Sequence, residues 1–378
     1  MRSTNMRKTV RIGLIGTGFM GKAHALSYLA AGNVFEDISR PVLHMVADLD
    51  AARAEAFREQ FGFSGSTTDW ESLVTDPDID VVSITTPTLF HKEMALAAIA
   101  AGKHVHCEKP LSVNAADAWQ MMRAAERAGV RTATGFNYLK NPLLKLAREM
   151  IASGELGEIY DFNGIHAEGF MADPQTPWSW RCDARGGAGA IADVGSHIVS
   201  VARYLAGPIT ELCAKLDTPV ATRPVSAGAT KRREVAVDDI ARLIVSFERG
   251  CSGTLQASWL ATGRSMQLAF QISGSKGTLA FTQERMNELR YFRAGEDPRG
   301  NGFRLIEAGP SHPPYGAFCV AGGHQLGFND LKTIEMAEFI RAIDRNSPAS
   351  PDFREAWEIQ RLIDAALRSS RERCWQVL

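Results

Sequence analysis

Three short segments of this 378-residue chain hold residue types that can do chemistry. The first is Gly16-Thr17-Gly18-Phe19-Met20-Gly21, a G-x-G-x-x-G between an apolar run, Val10–Ile15, and a helical pattern that starts at Phe19. Glycines there allow a tight turn and close backbone approach, so that the N–H groups opening the helix can bind a pyrophosphate. The string by itself also fits a plain structural turn. Asp48 closes the next apolar run. A carboxylate at that place can accept hydrogen bonds from both adenosine ribose hydroxyls and repels a 2′-phosphate, which favours NAD over NADP. It stands 27 residues past Gly21, beyond the usual spacing of about 20, and the segment 33–41 reads as a loop insertion absorbing the excess. The bland alternative for Asp48 is a solvated cap of the following helix.

The second segment is His104-Val105-His106-Cys107-Glu108-Lys109-Pro110. His-x-His with Cys suggests a metal, but strand alternation puts Cys107 on the face opposite both histidines. No further His or carboxylate completes a tetrahedral set in sequence, so no metal site is assigned. Glu108-Lys109-Pro110 instead falls at the carboxyl end of a strand, where open α/β sheets place ligands. A lysine there offers positive charge to an oxygen that gains negative character in a reaction. The third segment runs from Trp180-Arg181 through a glycine-rich stretch, 186–189, to Asp193 and His197. Asp193 and His197 are four apart and are expected on one face of a helix over 194–205. Histidine exchanges protons near neutral pH and an aspartate can orient it. An N-cap aspartate with a structural histidine accounts for the pattern equally well.

The elements that must position these residues follow from periodicity. From Thr9 to Phe136 short apolar runs alternate with helical patterns. Strands are expected at 10–15, 42–47, 79–85, 104–107 and 131–135, and helices at 19–31, 51–60, 69–74, 88–101 and 114–128. Such alternation implies an α/β domain, a doubly wound parallel sheet of the Rossmann kind. Beyond Asn137 the rhythm changes to strands at 158–166, 235–247, 253–259, 266–273 and 277–281, with turn signals between them. That pattern suggests hairpins, consistent with an antiparallel sheet. The outer face of such a sheet needs a cover, so a homo-oligomer is expected. The expected division is 1–137 and 138–378, with helices over 331–345 and 353–371, the last packing back on the first domain. The aromatic, His-bearing stretch 311–327 reads either as a loop over the active site or as a structural one.

Taken together, Gly16–Gly21, Glu108-Lys109-Pro110, Trp180-Arg181 and Asp193-x-x-x-His197 resemble the glucose–fructose oxidoreductase / inositol dehydrogenase / MocA family of NAD(P)-dependent oxidoreductases. The context of Trp180-Arg181 and the segment 323–330 are similar to the family's sugar dehydrogenases, levoglucosan dehydrogenases among them. The resemblance implies a second, α+β domain built on a large, mostly antiparallel sheet, and a homo-dimer or homo-tetramer. It also implies that Lys109, Asp193 and His197 form the catalytic group and that Trp180 and Arg181 touch the cofactor. The candidate cofactor set is Gly16, Gly18, Phe19, Met20, Gly21, Asp48, Thr86, Pro87, His91, Glu108, Lys109, Asn137, Trp180 and Arg181. The candidate substrate set is Lys109, Tyr138, Lys140, Asp193, His197 and His324, with Trp178 nearby in sequence. The implied activity is oxidation of a secondary hydroxyl of a sugar, anhydro-sugar or cyclitol. Two alternatives are an NAD-dependent glycosidase working by oxidation and elimination, and a sugar or dinucleotide sensor without turnover.

Composition fits this picture. Apolar residues make up 45% of the chain and charged residues 22%, with a formal net charge of −1. That is a packed globule without the basic footprint of a nucleic-acid binder. The six scattered cysteines read as reduced thiols in a cytoplasmic protein. Arg2, Arg7 and Lys8 precede a glycine-broken strand, not the apolar core of a signal peptide. No membrane span is expected.

Overall fold

The structure is a computed structural model that describes residues 8–187 and 189–378. The chain divides into two compact units. The first takes the residues to Lys140 together with Gly327–Glu358; the second takes Asn141–Leu326 with Ile359–Leu378.

The first unit opens with β1 (Thr9–Ile15), α1 (Phe19–Val34), β2 (Arg40–Ala47), α2 (Ala51–Phe61), β3 (Gly65–Thr67) and α3 (Trp70–Thr75). It continues with β4 (Val81–Ile84), α4 (His91–Ala100), β5 (His104–Cys107), α5 (Ala115–Ala128) and β6 (Thr132–Thr134). All neighbours pair in parallel in the order β3-β2-β1-β4-β5-β6, the doubly wound arrangement expected from the alternation. The central strands are continuous apolar runs because helices cover both faces; all four residues of β4 are buried. Asp50, Asp69 and Asn114 cap their helices through side-chain oxygens, each such cap contributing about 1 kcal/mol.

Three local readings need correction. The helix expected over 19–31 does not end before Gly32 but runs on through it to Val34. A Cβ at Gly32 would lie 2.8 Å from Pro41 Cδ, so the glycine serves close packing of α1 against β2. The supposed insertion at 33–41 shrinks to the residues between Val34 and Arg40. The helix expected over 88–101 begins as a 3₁₀ turn, Thr88–Phe90, before α4. β3, with sequence Gly-Ser-Thr, has no apolar pattern to announce it.

The second unit contains α6 (Pro142–Ala152), β7 (Ile159–Ala167), α7 (Ala190–Asp193), α8 (Gly195–Ala206) and β8 (Ile209–Asp217). A small ribbon, β9 (Thr222–Pro224) with β10 (Arg232–Glu234), precedes β11 (Ile240–Phe247), β12 (Ser252–Ser258), β13 (Gln267–Gly274), β14 (Gly277–Thr282), β15 (Glu288–Arg293) and β16 (Arg304–Glu307). Two helices follow, α9 (Phe328–Asp344) and α10 (Phe353–Glu372), and then β17 (Gln376–Val377). The large sheet runs β16-β15-β14-β13-β7-β12-β11-β8-β17, antiparallel except for the parallel pair β7–β12. The expected strand over 235–247 starts only at Ile240, because the backbone before it bonds elsewhere: Val235 N–H donates to Ala221 O, Ala236 N–H to Cys182 O, and Asp238 O accepts from Ala190 N. β8, β15 and β16 were not among the expected strands.

α9 belongs to the first unit, not the second as periodicity alone suggests. α10 is shared. Its start lies in the first unit, where the Phe353 N–H donates to Thr132 Oγ1 at 3.3 Å and Trp357 meets Trp119. Its end lies in the second, where Ser369 and Ser370 hydroxyls accept N–H bonds from Ala214 and Leu216 of β8. Among the described residues no helix is long and apolar enough to cross a membrane.

Candidate active site

The candidate residues fall on both units, and each half has its own construction. In the first, β1 ends and α1 begins around Gly16–Gly21. Gly16 has φ +100, and a Cβ on Gly21 would lie 2.1 Å from Gly16 O, so both positions require glycine. Thr85 Oγ1 donates to the carbonyls of Ile15 and Gly16 and fixes the turn from β4. Nothing stands within 4 Å of a Cβ placed on Gly18. α1 has neither a side-chain cap nor an acidic residue in its first turn. Phe19 is exposed there and Met20 half-buried.

Asp48 leaves the end of β2 beside this turn. Its Oδ2 accepts from Thr17 N at 3.1 Å and Thr17 Oγ1 at 2.5 Å. Its Oδ1 accepts from Arg53 Nη2 at 2.7 Å and Asp50 N at 3.1 Å. Burial pushes this carboxyl up, but the bonds from Thr17, Asp50 and Arg53 outweigh it and hold it below the usual carboxylate range.

At the end of β5, Glu108 is buried and Lys109 half-buried. His91 sits between two loop carbonyls, with Nε2 2.9 Å from Thr86 O and Nδ1 3.0 Å from Pro110 O. It thus ties the Thr86-Pro87 loop to the segment that follows Lys109. Burial lowers its pKa more than these carbonyls raise it. Asn137 is buried, and among the described residues its Nδ2 has no hydrogen-bond partner. Tyr138 is buried with its ring centroid 6.3 Å from that of Phe328. The Lys140 ammonium is taken up within the first unit by the Glu338 carboxylate and the Ser350 carbonyl.

The second unit holds Asp193 and His197, and here the helix reading is corrected. Asp193 ends the short α7, and Val194 separates it from α8, in which His197 is the third residue. Both side chains are buried, at 8% and 5% exposure. Asp193 Oδ2 accepts from Arg181 Nε at 2.8 Å, and the Arg181 guanidinium lies 4.6 Å from the Trp180 ring centroid. The Val194 carbonyl in the break accepts from His197 N at 3.2 Å and lies 2.8 Å from His166 Nδ1. The His166 ring centroid is 5.4 Å from that of His197. Asp238 supports the same turn: its Oδ2 accepts the Ile191 N–H at 2.8 Å, and burial pushes its carboxyl up to about 7. Trp178 stacks on Arg233 at 3.4 Å and donates Nε1–H to Glu234 O. His324 is exposed. The stretch around it is pinned by Tyr315, whose hydroxyl accepts from Gln325 N and donates to Ala321 O.

Sequence reasoning passed over His166, Asp238, His24 and Lys332. Lys332 is the least legible, since a lysine in a helical run reads as solvated surface. His24 stands two turns into an α1 whose mixed faces give no sign of a buried imidazole.

The first unit's features fit a dinucleotide. The glycine cradle is open, the α1 N-terminus is uncapped, a carboxylate stands at the end of β2, and Asn137 keeps a buried donor. Fold and site together define an NAD-binding oxidoreductase. Residues 10–136 match the oxidoreductase family with an NAD-binding Rossmann fold, and residues 144–280 match the GFO/IDH/MocA C-terminal domain. The chain belongs to the GFO/IDH/MocA family. It is 34% identical to levoglucosan dehydrogenase of Pseudarthrobacter phenanthrenivorans over 97% of this chain and 98% of that one. It is 28% identical to myo-inositol 2-dehydrogenase of Thermotoga maritima over 72% of this chain and 75% of that one. The solved structure of levoglucosan dehydrogenase in complex with NADH superposes with a TM-score of 0.95 at 34% identity, covering 98% of this chain and 99% of that chain. An NAD-binding oxidoreductase from Klebsiella pneumoniae gives 0.94 at 42% identity over the same shares.

Proposed function

We propose that this chain oxidises a secondary hydroxyl of a sugar, anhydro-sugar or cyclitol, with His197 as the base and Lys109 and Asp193 as its partners in catalysis. The observation that carries the proposal is the buried Asp193, gripped by Arg181 beside His197, in a chain so similar to levoglucosan dehydrogenase along its length. NAD, when bound, would supply the hydride acceptor. Gly16, Gly18 and Gly21 with the α1 N-terminus would hold its pyrophosphate, Asp48 its adenosine ribose and Asn137 its nicotinamide end, and Trp180 and Arg181 would touch the cofactor. His197 accepts the hydroxyl proton at a ring nitrogen. The Lys109 ammonium stabilises charge that develops on the same oxygen. Asp193, fixed by Arg181, accepts from a neighbouring hydroxyl or orients His197. Arg181 is thereby occupied by a carboxylate, which suits an uncharged polyol better than an anionic substrate. Tyr138 and His324 remain proposed substrate contacts. Lys140 already has two oxygen partners in its own unit, which weakens its place in that set.

The same proposal makes the protein a cytoplasmic homo-oligomer. Its six cysteines are free thiols. The large sheet carries a groove of about 660 Å³ lined by Ile165, Lys215, Arg242, Ile244, Gln256 and Gln271, with Ile244 52% exposed. Apolar surface in such a groove suits a second copy.

The test is NADH formation from NAD with a panel of anhydro-sugars, pyranoses, glycosides and inositols, run beside Lys109→Ala and His197→Ala. Turnover in the wild type that falls about a hundredfold or more in both variants is expected. Release of an aglycone without net NADH would replace the proposal by the glycosidase alternative.

A further inference from the structure

The interior of the first unit holds a charged cluster that the proposed chemistry does not use. Lys332 of α9 is fully buried. Its Nζ lies 2.6 Å from Glu108 Oε1 and 2.8 Å from Glu335 Oε1. His24 of α1 places Nε2 2.8 Å from the same Glu108 oxygen and Nδ1 2.7 Å from Ser83 Oγ, to which the Tyr28 hydroxyl also donates at 3.5 Å. His106 Nε2 stands 2.7 Å from Glu335 Oε1. The second Glu108 oxygen, Oε2, accepts the backbone N–H of Lys109 at 3.2 Å. Gly135 closes the remaining side, since a Cβ there would lie 2.5 Å from Glu108 Oε1.

Ions so deeply buried are retained only when each is paired, because desolvation otherwise outweighs their attraction. Here burial pushes Glu108 up and Lys332 down, yet their mutual attraction reverses both, leaving Glu108 well below and Lys332 above the ordinary value. The cluster is therefore a fixed charged anchor. Glu108 precedes Lys109 in the chain and holds its N–H, while the His91–Pro110 contact holds the residue after it. Lys109 thus projects from backbone clamped on both sides.

We propose that Lys332 is a positioning residue for Lys109: its charge holds the Glu108 carboxylate in place, and Glu108 fixes the backbone from which Lys109 projects. The inference rests on the role given to Lys109 under the proposed function. It requires that loss of Lys332 shift the burden to His24, the other cation-forming group on the same Glu108 oxygen. The titratable groups that interact with Glu108 are His24 of α1, His91 of α4, Cys107 of β5, and Lys332 and Glu335 of α9, while His24 itself also meets His106 of β5 and, through Ser83 of β4, Tyr28. With Lys332 present, burial first and the Lys332 charge second hold His24 down to about 4. In Lys332→Met the second cause is gone, and His24 takes a proton from solvent at higher pH.

Hydrogen–deuterium exchange on the full chain reads the clamp directly, through peptides spanning Glu108 to Leu111. Lys332→Met is expected to speed exchange there by about tenfold or more relative to other first-unit peptides, with protection returning as pH falls and His24 is protonated. kcat for NAD-linked oxidation should drop about tenfold or more, with a new alkaline limb and little change in KM for NAD. Glu108→Gln/Lys332→Met removes one charge of each sign, so the cluster's net charge is unchanged. The double variant should fold where the single one fails, and should lack the alkaline limb. Uniformly faster exchange across the first unit, without a local effect or a new limb, would overturn the inference in favour of a purely structural lysine. If the wild type turns over no sugar, the proposed function fails while the exchange result still decides the clamp.

Discussion

Acid should weaken the first unit through His24, and the size of the effect follows from its surroundings. His24 is fully buried between Ser83 Oγ and Glu108 Oε1, and its folded pKa is near 4 against an ordinary 6.5. The unfolded chain therefore binds a proton in the window between those values that the folded chain refuses. A depressed histidine contributes its full stability above about pH 6.5 and loses it as pH falls toward about 4. At 1.36 kcal/mol per unit, the loss is about 2 kcal/mol by about pH 5 and about 3 kcal/mol by about pH 4. His24→Gln keeps a donor for Glu108 but no titrating ring. Urea unfolding of both proteins across this range isolates the term, because the slopes from Glu108 and Glu335 occur in both. The stability advantage of the wild type should shrink by about 3 kcal/mol between about pH 7.5 and about pH 4. A difference that stays constant across the range would refute the depressed imidazole and the charge pattern that causes it.

Other expectations follow from the same contacts. Gly135→Ala puts a Cβ 2.5 Å from the Glu108 carboxylate and should destabilise by about 1–3 kcal/mol in urea unfolding. Asp238 holds its proton up to about 7, whereas the unfolded chain releases it near 3.8, so wild-type stability should fall as pH rises through that window. Asp238→Asn, measured by denaturation at acid and alkaline pH, should abolish a fall of about 4 kcal/mol. Asp48→Ser removes the carboxylate that repels a 2′-phosphate and frees Arg53, 2.7 Å away; the ratio of kcat/KM for NADP to that for NAD should rise about 10- to 100-fold.

The parallel domain was legible because buried central strands such as Val81–Ile84 are continuous apolar runs between clear helix caps at Asp50, Asp69 and Asn114. β3 escaped because three small polar residues carry no period, and β16 because its two adjacent apolar residues between charged ones do not alternate; β15 does alternate, with Leu289 and Tyr291 buried, but its run is short and was passed over. Asp193 and His197 were singled out as candidates by type and spacing. The break at Val194 was not, since it depends on contacts from His166 and Asp238 that are distant in sequence. Lys332 was invisible for the same reason: its partner Glu108 lies 224 residues away, and no local pattern distinguishes a buried helical lysine from a solvated one. Lys140 illustrates the converse, a residue chosen by likeness whose ammonium proves to be held by Glu338 and Ser350.

The central claim is hydride transfer from an alcohol carbon to bound NAD, with the proton going to His197. Its most direct test uses substrates from the panel that carry deuterium at a single ring carbon, with the mass of the NADH formed as the readout. The account predicts deuterated NADH from one labelled position, at a rate that falls about a hundredfold or more in His197→Ala. NAD binding without transfer of the label from any position would contradict it.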